Sequence, residues 1–440
     1  MKKRYQSFVV LLLVILTLIG CNKADERGSS AIHQQSENNQ ITIDLAIHAA
    51  NPKRQEPALY EIIEKFMERN PDIKINLQGT EQKAHVKKMK MLAQSNDLPD
   101  IFWVLPHTSA ELNEAGLLLD LTSLFDGNRQ LAEKFHENML EPYNENGQQF
   151  GLPYQPLVTG FWYNKALFDQ YNVPLPQTYQ DLKEAVKLFE EQNIVTIAKG
   201  SQDPYSVWAF LTMLSRYGFF DKIDQILEGE ESYKNQDFLQ FYKNVDELRE
   251  MGAFPKNVAN LNYFQAVQMF LNGDAAMLDA GVWETNKIEE SEIAEDVSFW
   301  WGPTFENGIE KQNVSSIVPA APLVVSSKVK DDEEKYAAVM AFLKFYYSEE
   351  GAQVMVDNQV PPVIQFEGEV DEKSHSVFAK VMEQMNQPGW ESQPNQPDLV
   401  VPSQIGDAIN ESIYGVINGI YSPEEALSVV NKKINEQKRK

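Results

Sequence analysis

The 440-residue chain has almost no cysteine: Cys21 is the single one. Without a second thiol there is no internal disulfide and no cysteine-based metal site. Its six histidines are scattered, with none of the spacings that metal ligands adopt. Basic residues are in short supply too: 39 lysines and arginines face 64 acids, a formal net charge of −25. A nucleic-acid binder needs positive surface against phosphates, and no basic stripe supplies one. There is no Gly-x-Ser-x-Gly elbow, no His-Glu-x-x-His pair and no calcium loop of EF-hand type, so the common hydrolase signatures are missing. Past residue 19 no apolar run is long enough to span a bilayer, and no internal repeat is visible.

What is present begins with a leader. Lys2, Lys3 and Arg4 precede an apolar run over 8–19, the pattern of a signal peptide in residues 1–20. Leu18, Ile19, Gly20 and Cys21 resemble the lipobox of bacterial lipoproteins, in which the cysteine is diacylated and becomes the first residue. Residues 21–40 are polar and bury too little to fold, so they read as a flexible tether holding the rest off the membrane. The remaining length exceeds one core, and 43% hydrophobic residues provide ample material for two lobes.

The stretch 150–168 organises the chain. Gly151 and Pro153 make a turn, residues 157–163 read as a strand, and Asn164 caps a short helix. Before it, residues 41–47, 73–77 and 99–104 read as strands separated by helices near 57–67 and over 83–95. That order predicts a mainly parallel sheet covered by helices, with ligands at the carboxyl ends of its strands, just after Ile47 and Trp103. After it come helices at 178–192, 204–217, 237–250 and 264–271, and strands at 275–280 and 297–301. Thr178 and Asp181 make a capping-box start to the first of these. The run 322–327 reads as a strand able to return to the first lobe, followed by helices to the C-terminus and an ordered, proline-rich loop over 386–402 around Trp390.

Five stretches in this order resemble the carbohydrate-binding lipoproteins of ABC importers, the solute-binding group (family 1) that includes maltodextrin-binding proteins. They are Pro99 to Trp103 with the Gly116 to Leu121 run; Gly151 to Tyr154 with Tyr163, Asn164, Lys165 and Phe168; Asp203, Pro204, Tyr205 and Trp208; Phe270 to Met277 with Gly281 and Trp283; and Ser326, Lys328, Phe342 and Gln353. The resemblance implies an α/β periplasmic-binding-protein-like fold of type II, two α/β lobes joined by a multi-crossing hinge with a ligand cleft between them. It places lobe 1 at residues 41–155 and 317–364 and lobe 2 at 156–316 and 365–440, with crossings near 155–160, 313–317 and 364–369. It implies a carbohydrate ligand, an ABC permease as partner, a membrane anchor at Cys21, a monomer on the outer face of the cell membrane, and no cofactor or metal. Pro106 and His107 stand where the maltodextrin members carry an acidic-basic pair, so the likeness does not extend to the identity of the sugar.

A sugar ring offers an apolar C–H face and a rim of hydroxyls, which aromatic planes and carboxylates or amides recognise. Trp103, Tyr154, Tyr205, Trp208 and Trp283 fall at strand ends, turns or helix starts and are the candidate stacking rings. Their number favours an oligosaccharide. Asp203 and Asp279 are candidate hydroxyl acceptors, and Asn51 with Lys53 follows the first strand. Trp300 and Trp301 are neighbours in a strand and point to opposite faces, so at most one faces the cleft; Trp301 is the candidate. Trp162 is expected in the core, and Trp390 as either a lid or a clamp on the lobe surface. Two other readings use the same chain: a receptor for a membrane sensor kinase, and a secreted polysaccharide hydrolase or lyase, which needs two closely placed carboxylates.

Overall fold

The computed structural model describes residues 40–126, 129–136, 138–202, 206–366 and 368–438; the leader and the lipobox Cys21 lie outside the described residues. Two sheets organise them. In the first the order is Ile73–Gly79, Ile41–Ile47, Ile101–Trp103, Pro322–Val325 and Leu152–Pro153. The first three strands are parallel, and the last two run antiparallel to their neighbours. Residues 322–325 thus return to the first sheet, as the sequence suggests. Alternation does the sorting: Ile43, Leu45 and Ile47 pack into one core, while Ala46, Phe102 and Val324 face another. Helix Pro57–Arg69, begun by its proline, covers the first core with Leu59, Ile62, Ile63 and Phe66. Each of those side chains contributes roughly 1.5–3 kcal/mol by burial.

The second sheet has the order Val297–Trp300, Pro156–Asn164, Ala275–Gly281 and Val195–Ala198. Trp162 lies opposite Leu278 and Phe299, all on one face, and Phe161 lies opposite Trp300 on the other. Trp162 is fully buried and donates from its indole N–H to the Gly281 carbonyl at 3.0 Å. The strand Pro156–Asn164 is the passage between the sheets. Its first three residues pair antiparallel with Ile317–Pro319, and its remainder enters the second sheet. Asn164 accepts from the Leu167 N–H at 3.3 Å and so starts helix Lys165–Gln170. Thr178 and Asp181 form the full capping box of helix Tyr179–Glu191, a device contributing about 1 kcal/mol.

Three readings of the sequence need amendment. The helix expected from 204 begins at Trp208 and runs to Ser215, because the Asp279 carboxylate accepts the Ala209 N–H at 2.9 Å and fixes the first turn there. Gly218, at φ 80°, then breaks the chain before a second helix, Phe219–Glu228, that periodicity did not reveal. Strand Val195–Ala198, four residues long, was likewise missed. In the loop over 386–402 Trp390 sits against the Arg216 guanidinium, 5.8 Å from ring centre to charge. Arg216 is itself fully buried and donates to the carbonyls of Trp301, Pro303 and Val314. Trp390 is therefore a clamp on that buried cation.

Candidate functional site

A cavity of about 260 Å³ lies where the strand-end segments of the two sheets meet. It is lined by Glu56 and Pro57, which follow the first strand, by Gln155 and Pro156, entering the passage, by Trp283 and Asn286, which follow Ala275–Gly281, and by Asn358 to Pro361. A larger groove of about 630 Å³, beside Phe66, Arg69 and Phe345, carries none of the sequence-predicted site residues.

On the second-sheet side the strand Ala275–Gly281 ends in a single tight turn, Val282–Glu284, that carries Trp283. A β-carbon placed on Gly281 would lie 2.0 Å from the Trp283 ring, so only glycine lets the indole fold back over its own strand. Trp283 remains 41% exposed. Its N–H donates to the Tyr263 hydroxyl at 2.8 Å, and that hydroxyl donates to buried Glu284 at 2.7 Å. Trp208 packs edge-on against both Trp283, at 4.8 Å, and Tyr263, at 5.4 Å. The Trp283 plane is thus held from its edge and its N–H.

On the first-sheet side the aromatics are sealed. Trp103 is 5% exposed, and the His48 ring stacks on it at 4.0 Å with 21° between planes. His85 meets the same indole from the side at 5.9 Å, its Nε2 within 2.8 Å of the Trp103 carbonyl oxygen. Burial pushes His48 down to about 4 and also lowers His85, so both imidazoles are neutral at physiological pH. Tyr154 is 3% exposed and donates its hydroxyl to Glu56 Oε2 at 2.8 Å. Gln155 donates to the same oxygen at 3.3 Å. Burial raises the Glu56 carboxyl above its ordinary value, against these two hydrogen bonds.

The sequence-predicted residues therefore separate. Trp208 and Trp283 come together, whereas Trp103 and Tyr154 are linked through His48, whose ring meets both. The stacking role given to Trp103 needs correction, since His48 already covers a face of its ring. Tyr154 faces Glu56 with its hydroxyl and Tyr346 with its ring, 6.2 Å away. Asp279 is not an open hydroxyl acceptor: it is fully buried, ion-paired with Lys199 on one oxygen and bonded to the Ala209 N–H on the other. Burial drives Lys199 down and Asp279 up, and each is held back by the other's charge. Trp301 is 2% exposed, edge-on to Phe299 at 5.3 Å, with its N–H on the Gln384 carbonyl. Neither residue of the Trp300 and Trp301 pair reaches the cavity wall, since both are buried in cores. Asn51 is exposed, its N–H taken by Gln55, and Lys53 lies over the Tyr60 ring. Asp203 and Tyr205 lie outside the described residues. Sequence reasoning missed Glu56, His48, Tyr263 and Lys199; the strand-end rule pointed to the position of His48 but not to its partner.

The profile of the bacterial extracellular solute-binding protein family matches residues 49–353. This chain belongs to that family. Among curated relatives, the solute-binding protein is similar to the multiple sugar-binding protein of Streptococcus mutans, 22% identical over 370 residues that cover 80% of this chain and 83% of the relative. Among solved structures it is similar to one from a study of xylan utilization by the thermophilic bacterium Caldanaerobius polysaccharolyticus: 23% identity, TM-score 0.72, 90% of this chain and 100% of the other. It is also similar to a chitin oligosaccharide binding protein: 21% identity, TM-score 0.72, 91% of this chain and 99% of the other. Both share its α/β fold, that of periplasmic binding proteins. Membership makes this a protein that holds a solute rather than one that transforms it.

Proposed function

We propose that this solute-binding protein captures an oligosaccharide in the cavity between its two sheets and hands it to the membrane subunits of an ABC importer. The observation that carries the reading is Trp283: a large aromatic plane, partly exposed in the cavity lining and fixed by edge-on packing with Trp208 and by its N–H bond to Tyr263. Such a plane suits the C–H face of a pyranose. The names of its relatives, which bind multiple sugars and chitin oligosaccharides, support the same class. On this reading residues 41–155 with 317–364 and residues 156–316 with 365–440 act as the two lobes, and closure swings the Trp283 wall toward the Glu56 wall. Cys21 anchors the protein to the outer face of the membrane through diacylation, with residues 21–40 as the tether.

The test is a thermal-shift and calorimetric screen of the mature domain against xylo-oligosaccharides, chito-oligosaccharides and raffinose-type sugars. At least one should raise Tm and bind stoichiometrically, with no release of new reducing ends. A panel without any shift overturns the reading, and turnover of the sugar replaces it with a hydrolase.

A further inference from the structure

The Glu56 carboxylate is held by one oxygen only. Oε2 accepts from the Tyr154 hydroxyl at 2.8 Å and from the Gln155 amide at 3.3 Å. Oε1 has the His48 Nε2 as its nearest cation-capable neighbour, at 3.9 Å, beyond hydrogen-bond reach. The Glu56 side chain is 16% exposed, and it lines the same cavity as Trp283. An acid held this firmly by one oxygen, with the other open to solvent, can exchange that solvent for a donor on a ligand.

We propose that Glu56 is a specificity-determining residue of the site, its Oε1 accepting a hydrogen bond from a hydroxyl of the bound saccharide. The proposal rests on the oligosaccharide reading above and deepens it. The donor set around the carboxylate selects for this ligand class. An acceptor-only ligand edge meets repulsion from Oε1, whereas a hydroxyl donates to it and keeps a lone pair for Gln155 or Asn286, which line the same cavity. Tyr154 and Gln155 act as positioning residues, since they fix the carboxylate and leave the second oxygen free. The ring that stacks against Trp283 would thus be oriented by a fixed polar point in the same cavity, so the site discriminates among ring stereoisomers that stack equally well.

The experiment uses Glu56→Gln, which keeps shape and the acceptor for Tyr154, alongside Tyr154→Phe. Calorimetry is run with whichever saccharide of the xylo-, chito- or raffinose-type panel binds the wild type, and with its monodeoxy analogues. A hydrogen bond to a charged group predicts a loss of about ten-fold to a hundred-fold in affinity for Glu56→Gln. One deoxy analogue should lose a similar factor on the wild type and little further on the variant, and Tyr154→Phe should weaken binding while keeping that preference. Equal affinity of wild type and Glu56→Gln for the parent sugar, or a deoxy penalty unchanged by the substitution, overturns the role of Glu56 and leaves the oligosaccharide reading standing. No binding by the wild type overturns that reading, and the assignment with it.

Discussion

The two sides of the cavity are both built around tryptophan, and they use it oppositely. On the first-sheet side Trp103 is sealed between two neutral histidines, and what reaches the cavity is a carboxylate. On the second-sheet side the charges are sealed, as Lys199 with Asp279 and Glu284 under Tyr263, and what reaches the cavity is an indole. The lesson is that residue type alone does not tell a contact from a support. An aromatic or an acid at a strand end becomes available only if no partner from a distant part of the chain has already claimed it.

That contrast can be broken from either side. The largest effect belongs to the sealed groups. Trp103→Ala removes a buried indole and should cost about 3–5 kcal/mol of folding stability, read by urea denaturation. If Trp103 were instead an open stacking plane, stability would hold and sugar affinity alone would fall. Lys199→Met leaves the Asp279 carboxylate buried without its cation and should cost a similar 3–5 kcal/mol; Lys199→Met with Asp279→Leu should recover much of it. A single variant as stable as the wild type would show that the pair is not sealed.

Trp283→Ala should behave in the reverse manner. Tm should change little, and saccharide affinity should fall about ten-fold or more, taking stacking as contributing roughly 1–3 kcal/mol by analogy with bases. Unchanged affinity in calorimetry would remove the indole from the binding wall. The smallest effect is a pH dependence. His48 is held neutral in the fold, its ionisation lowered from 6.5 to about 4, so the unfolded chain binds its proton first on acidification. Its contribution to stability is complete above about 6.5 and is lost as pH falls toward about 4. His48→Gln should flatten that part of the Tm-against-pH curve, and an identical slope in both proteins would count against a neutral, stacked imidazole.

Local signals in the sequence carried far. The alternation of 41–47, the helical spacing behind Pro57, the Thr178 capping box and the opposed faces of Trp300 and Trp301 are all set by neighbours within a few residues, and the structure shows each. Order along the chain also foretold that 322–325 would rejoin the first sheet. What stayed hidden depends on long-range meetings. Asp279 looked available at a strand end because Lys199, 80 positions away, gives no sign in the sequence of turning inward. Trp103 looked open because the imidazole that covers it comes from another strand's end, and Glu56 went unremarked because the residues that aim it lie about a hundred positions on, at Tyr154 and Gln155. The start of the helix at Trp208 was misplaced for the same reason: its anchor is a side chain of a different strand.

Gly281 contributes no side chain, and its neighbour depends on that. Any larger residue there must evict the indole of Trp283, since the space above the backbone is already filled by its ring. The angle of the plane is therefore written two positions upstream of the tryptophan itself. Adding one methyl at 281 offers a way to retune which guests this protein accepts while every group on the wall keeps its chemical identity.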